Sequence, residues 1–203
     1  PRFIASSPRV AAHTGTIPYK KRDITRMRPH EITPAGLARS FQVTNIYQKL
    51  TVGENVSLGV QTRNKKRMSL LTRFQEMGDV KQRTMEILER IGLRKWLDVP
   101  AGQLSHGDQR HLEIGMTLAT GPELLLLDEP TSGMSPVEAA QTMDLIKDLS
   151  RDFTIVLIEH NMDIVMNISD RIVVLNFGRK IAEGSPEEVA DNPEVRRVYL
   201  GGV

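Results

Sequence analysis

The 203 residues contain no cysteine, which excludes disulfides and thiolate metal sites and fits a reducing compartment. No apolar stretch approaches the roughly 20 residues of a membrane span, and the N-terminus lacks the apolar core of a secretory signal. The chain is therefore read as soluble. Charge of one sign is also scarce: 27 Lys and Arg stand against 25 Asp and Glu, a formal net charge of +2. With a pI of about 9.0, that is too mild to argue for nucleic acid without a localised patch. No G-x-x-x-x-G-K-[ST] occurs, nor any Gly-Lys-Ser or Gly-Lys-Thr. The loop that cradles phosphates with backbone N–H groups and a lysine thus has no counterpart in these residues. The sequence begins at Pro1, not Met, as a fragment or a processed chain does. What is present, 39% hydrophobic residues over this length, is enough for one α/β domain with a sizeable core.

The informative stretch is residues 104–136, LSHGDQRHLEIGMTLATGPELLLLDEPTSGMSP. Leu104-Ser105-His106-Gly107-Asp108 is a small polar turn that opens an amphipathic helix. A serine and a glycine there offer a hydroxyl and free N–H groups to an anion. Leu124-Leu125-Leu126-Leu127 reads as a strand buried in a parallel sheet, and it ends in Asp128-Glu129. Carboxylates at such a strand end sit at the crevice where α/β sheets bind ligands. One acid can hold Mg²⁺, and the next can polarise an attacking water.

Residues 1–19 hold three prolines and little to pack, with a short strand expected at 15–19; residues 20–33 form a basic turn region whose charges read as a solvated face. Residues 34–42 read as a short helix or turn leading to a strand. Residues 56–97 are helix-rich. Val80, Thr84, Ile87, Leu88 and Ile91 lie at helical spacing with Gly92 as the stop, and the basic cluster Arg63, Lys65, Lys66, Arg67 and Arg73 reads as a solvated face. A helix is predicted over 109–119, with His111 exposed and not a ligand. Ser135 caps a helix over 137–149 with Pro136 in its first turn. FTIVLI at 153–158 reads as a second buried strand ending in Glu159-His160. A helix at 162–168, a third strand at 171–176, a hairpin-like turn at 177–179 into 180–183, and a helix capped by Ser185 follow.

Together and in this order, Leu104–Asp108 and Leu124–Glu129 resemble the signature and Walker B motifs of the ABC ATPases. The resemblance runs from about Thr14 to the end. It implies a P-loop-NTPase-like α/β domain with a mainly parallel sheet and a helical subdomain, its first strand and phosphate loop missing from this sequence. By the same resemblance, Asp128 is the magnesium acid and Glu129 the general base. His160 is the switch histidine, donating to the γ-phosphate and holding the water in line. Arg39-Ser40-Phe41-Gln42 resembles the approach to the Q-loop, so Gln42 supplies a carbonyl to Mg²⁺ and water. Ser105 and Gly107 belong to a signature that closes over ATP held by another subunit. Thr131–Pro136 occupies the D-loop position at the dimer interface. The organisation implied is a single partial domain: 1–13 unmatched, 14–55 with the Q-loop, 56–120 helical with the signature, 121–180 with Walker B, D-loop and histidine, and 181–203 a C-terminal tail.

Glu159-His160-Asn161-Met162-Asp163, Gly184-Ser185-Pro186-Glu187-Glu188-Val189, Val198-Tyr199-Leu200-Gly201 and the Gly133-Met134-Ser135-Pro136 D-loop look like the ATP-binding subunits of branched-chain amino acid importers. Urea-importer and lipopolysaccharide-exporter ATPases share parts of this ending. The implied cofactors are ATP and Mg²⁺. The implied partners are membrane permease subunits, a second ATPase subunit in a homo- or heterodimer, and indirectly a periplasmic or extracellular solute-binding protein; the implied place is the cytoplasmic face of the membrane. Tandem cassettes or a long coiled-coil insertion, which would suit an ABC protein acting on ribosomes or DNA, are absent, so no nucleic-acid partner is expected. Two departures stand out. The Walker A loop should precede Gly15-Thr16-Ile17, and the signature reads Ser-His-Gly-Asp where the family has Ser-Gly-Gly-Gln. The first predicts a chain shortened at its start that alone neither binds ATP tightly nor hydrolyses it. The competing expectation is a non-catalytic interaction or regulatory module.

Overall fold

The structure is a computed structural model that describes residues 15–40, 46–62 and 78–199. Strands β1 (Pro18–Tyr19) and β2 (Arg22–Asp23) pair as a small antiparallel hairpin, with Lys20 and Lys21 at its tip in the left-handed region. Helix α1 (Pro29–Ile32) and a 3-10 turn over Thr33–Ala35 lead into strand β3 (Leu37–Arg39). Helix α2 (Val52–Thr62) opens on a reciprocal pair: the Glu54 N–H donates to Thr51 Oγ1 at 3.1 Å, and the Thr51 N–H donates to Glu54 Oε2 at 2.8 Å. Helix α3 (Gly78–Arg90) buries Val80, Thr84, Ile87 and Leu88, the face its spacing predicts. Gly92 ends it with φ +72°, and the Leu93 N–H reaches back to the Leu88 carbonyl at 2.8 Å.

Helix α4 (His106–Ala119) starts three residues earlier than the sequence suggests, because the Ser105 hydroxyl accepts from the Asp108 N–H and begins the first turn there. Strand β4 (Leu124–Asp128) follows, then helix α5 (Pro136–Leu149) with Ser135 as cap, strand β5 (Thr154–Ile158), helix α6 (Met162–Ile168), strands β6 (Ile172–Asn176) and β7 (Arg179–Gly184), and the short helices α7 (Pro186–Ala190) and α8 (Pro193–Tyr199).

Among the described residues the parallel sheet runs β3–β4–β5, with Ala38 beside Leu125 and Leu125 beside Ile155. Strand β4 is central, and its Leu125 and Leu127 are fully buried in the main core, to which α2, α3, α4 and α5 add Val56, Leu88, Leu112 and Leu149. Each such side chain contributes roughly 1.5–3 kcal/mol of burial. A smaller core of Ile172, Val174, Val189 and Val195 lies beneath β6 and β7. Helix α6 joins the two, packing Ile164 and Ile168 on the first and Met162 and Val165 on the second.

One expectation needs correcting. Strand β5 is not buried on both faces: Val156 is 43% and Ile158 52% exposed, while Ile155 and Leu157 pack on the core. Its β-branched run alternates in and out because only one face meets helices. Strand β6 pairs antiparallel with β7, the hairpin that the turn at 177–179 suggests, and its Val173 and Leu175 face solvent. The basic cluster between Arg63 and Arg73 lies outside the described residues.

Candidate functional site

The site gathers where β4 and β5 end. Because both strands run the same way, Asp128 pairs in register with Ile158, and the Glu129 N–H donates to the Ile158 carbonyl at 2.9 Å. That pairing brings the residues after each strand together. His160 Nδ1 lies 3.5 Å from Glu129 Oε1 and 3.9 Å from Glu159 Oε2, with the imidazole 74% exposed. Of the six residues singled out in the sequence, Asp128, Glu129 and His160 are thus assembled. Gln42 lies outside the described residues.

Glu129 has φ +44°, a left-handed backbone in a residue that is not glycine. Such a conformation costs of order 1–3 kcal/mol and persists only where its surroundings enforce it. Here the enforcement is visible. The Arg110 guanidinium, buried in α4, donates to the carbonyls of Asp128 at 2.8 Å, Glu129 at 3.4 Å and Pro130 at 3.3 Å. Its other face meets Glu113 Oε2 at 2.5 Å. From the β5 side, Glu159, only 1% exposed at its side chain, accepts from the Thr131 hydroxyl at 2.6 Å and the Thr131 N–H at 3.4 Å. The loop after the acids is therefore held from both sides.

Asp128 is tied as well: Arg39 on β3 donates to its Oδ2 at 2.7 Å. Among the described residues no group of three or more His, Cys, Asp or Glu forms a metal cage. Mg²⁺ does not require one; it usually takes one or two carboxylates together with phosphate oxygens and water. A single acid at this position fits that habit.

The signature lies at the start of α4 and differs from expectation. Its N–H groups are not all free. Asp108 N–H is taken by Ser105, and the Gly107 N–H donates to Glu138 Oε1 at 3.2 Å. Glu138 is the third residue of α5, in a capping box with Ser135, so helix α5 fills part of the anion cradle that the sequence alone leaves open. These hydrogen bonds hold the Glu138 carboxyl below the ordinary carboxylate range, the Ser135 hydroxyl and N–H contributing most and the Gly107 N–H next. Ser105 keeps its hydroxyl at the surface. His111 is a further correction: it is half-buried, with Nε2 3.1 Å from Thr142 Oγ1. The Thr142 hydroxyl also lies 3.4 Å from Met134 Sδ, to which it donates. Burial pushes the His111 pKa down, with Asp108 opposing.

Five contributing residues escaped sequence reading. Glu138 was accessible through the Ser-Pro-Val-Glu capping box after Gly133. Arg110 and Glu113 were accessible as an i,i+3 pair on an otherwise apolar helix face. Arg39 and Glu159 carry no local signal, since their partners are 89 and 28 residues away.

A family model described as ABC transporter matches residues 5–132, and one described as branched-chain amino acid ATP-binding cassette transporter matches residues 179–203. The chain belongs to the ABC transporter ATP-binding family, so nucleotide binding and ATPase chemistry are its family properties, and membrane permease subunits are the family's partners. Within that family it is 39% identical over 194 residues to the high-affinity branched-chain amino acid transport ATP-binding protein LivG of Salmonella typhimurium, covering 92% of this chain and 76% of that protein. It is 35% identical over 194 residues to BraF, the protein of the same description in Pseudomonas aeruginosa, with the same coverage of each. Among solved structures, the ADP conformation of MJ1267, an ATP-binding cassette of an ABC transporter, superposes with a TM-score of 0.78 at 32% identity, covering 93% of this chain and 78% of that one. CbiO1 from Clostridium perfringens, part of the cbiONQ transporter complex, gives 0.74 at 26% identity over 93% and 73%. Among the described residues no helix is long and apolar enough to cross a membrane.

Proposed function

We propose that this chain is the ATPase subunit of an importer for branched-chain amino acids, seated on permease subunits at the cytoplasmic face of the membrane. The substrate rests on the names of the LivG and BraF relatives and on the match over residues 179–203. A solute-binding protein then acts through the permease. In the domain organisation proposed, residues 14–55 carry the Q-loop, 56–120 the helical part with the signature, 121–180 the hydrolytic residues and 181–203 the tail.

The observation that carries the chemical reading is the convergence of Glu129 and His160 at the end of the central strand, beside Asp128. Bound Mg²⁺ would neutralise charge on the phosphates. Asp128 would hold the ion, with Gln42 offering an amide oxygen. Glu129, aimed by its left-handed backbone, accepts the proton of the attacking water. His160 Nδ1 faces Glu129, which leaves the Nε2 edge of its exposed ring for the γ-phosphate and keeps the water in line. Ser105 offers its hydroxyl, and Gly107 its N–H once Glu138 yields it, to ATP held on a second subunit.

The lysine-bearing phosphate loop is not among the 203 residues, so the polypeptide by itself supplies little of the phosphate-binding energy. ATP binding and turnover by the purified chain, beside Glu129→Gln, test the reading. No tight binding and no turnover are expected from the polypeptide alone. Micromolar binding with Glu129-dependent hydrolysis would show a phosphate site built from other residues and overturn this part of it.

A further inference from the structure

We infer that Arg110 is a positioning residue that ties the backbone of Glu129 to the signature helix of the same chain. The inference deepens the functional reading above and rests on it for its meaning: Glu129 acts at one nucleotide, while Ser105 and Gly107 face the nucleotide of a second subunit. Arg110 is the physical link between the two.

The geometry is specific. Arg110 lies one turn beyond the signature on α4 and is 3% exposed. Its Nη2 donates to the Asp128 and Glu129 carbonyls, and its Nε to the Pro130 carbonyl, so one planar group spans three consecutive peptide units. Those units include the left-handed turn at Glu129. Glu113 receives Nη1 and fixes the plane of the fork. The next turn depends on the same backbone: the Ser132 N–H donates to the Glu129 carbonyl at 3.2 Å, and the Met134 N–H to the Thr131 carbonyl at 3.2 Å. A displacement of α4 is therefore carried by a rigid guanidinium into the peptide that aims the Glu129 carboxylate. Lysine cannot replace it, since one ammonium cannot reach three carbonyls in one plane.

Amide hydrogen exchange on the full 203-residue chain, without nucleotide, tests this. In Arg110→Lys, exchange at Ser132 and Met134 should rise about tenfold while the interiors of α3 and α5 keep wild-type rates. Arg110→Met with Glu113→Met removes the buried pair together and should produce the larger local rise; should that double variant fail to fold, Arg110→Lys decides alone. A second arm uses Ser105→Ala, which loosens the first turn of α4. It should speed exchange at Ser132 in the presence of Arg110 and leave it unaltered in the Arg110→Lys background. Unchanged exchange in the loop, an equal rise throughout the molecule, or simple additivity of Ser105→Ala and Arg110→Lys would overturn the inference. These rates do not depend on ATP. An unexpected outcome of the nucleotide assay therefore removes the functional reading and leaves the link standing, and flat exchange removes the link alone.

Discussion

The Gly107 N–H donates to Glu138 Oε1 at 3.2 Å, joining the first turn of α4 to the first turn of α5. The same carboxylate accepts from the Ser135 N–H at 3.0 Å and the Ser135 hydroxyl at 2.7 Å through its other oxygen. One side chain thus caps its own helix and occupies its neighbour's N-terminus.

That arrangement predicts a pH dependence. The Glu138 pKa is lowered in the folded chain by Ser135 and then Gly107, so the folded state binds this proton less readily than the unfolded state. Its stabilisation is complete above the unfolded carboxylate value of about 4.3 and is lost as pH falls through the lower folded value. Glu138→Gln should melt below wild type at neutral pH, and the gap should close on acidification. Melting curves from neutral pH down to pH about 3 check this; a constant gap would contradict it.

His111 gives a second window, at higher pH. Burial lowers its pKa, so the unfolded chain takes up a proton first as pH falls below about 6.5. The stability that neutral His111 provides is intact above that value and erodes below it, toward the folded pKa. Relative to His111→Gln, wild type should lose melting temperature between pH about 7.5 and about 5.5. Parallel curves for the two proteins would show that the imidazole does not titrate differently on folding.

Two glycines set the spacing of helices α2, α3 and α4, and they should respond differently to alanine. A Cβ on Gly59 would meet the Met116 carbonyl at 2.8 Å and Ala119 Cβ at 2.6 Å, atoms that cannot move without α4. A Cβ on Gly115 would meet only the Ile91 Cδ1 tip below 3.0 Å. Gly59→Ala should cost about 1–3 kcal/mol or more from overpacking, and Gly115→Ala less, because Ile91 can change rotamer. Urea denaturation of both variants ranks them.

A fourth prediction concerns a composite site. Mixed with an intact homologous ATPase that carries its own phosphate loop, this chain should supply the signature for the homologue's nucleotide. Gly107→Asp and Ser105→Ala here should then cut the mixture's turnover, Gly107→Asp the more severely because it adds charge beside phosphate. Glu129→Gln in this chain should leave that site's turnover unaltered, since the hydrolytic carboxylate for it comes from the homologue. Equal loss from Glu129→Gln would assign hydrolysis to this chain instead. Steady-state ATPase rates on the mixtures distinguish the two.

Much of the fold was legible because its signals are local. The apolar spacing from Val80 to Ile91, the caps at Ser135 and Ser185, and the run from Leu124 to Asp128 each specify an element within a dozen residues, and each element is present. The site was half legible. Asp128, Glu129 and His160 lie at the ends of apolar strands, so pattern and resemblance singled them out, and the strand register brings them together. What holds them was hidden, because Arg39 reaches Asp128 across 89 residues and Glu159 reaches Thr131 across 28. Such pairs are set by strand order, which a single sequence does not display. The apolar content of β5 marked a strand but not that only one of its faces is covered, since Val156 and Ile155 are equally greasy in print. His111 failed for the same reason: its partner Thr142 lies on another helix.

The half-covered β5 reaches beyond architecture. Val156 and Ile158 hold methyl groups against water, on a strand that pairs only with β4 among the described residues. Exposed apolar surface of this kind is what chaperones and proteases in a crowded cell respond to. Shielding of that surface would then bear on how much of the chain survives, independently of any chemistry at Glu129.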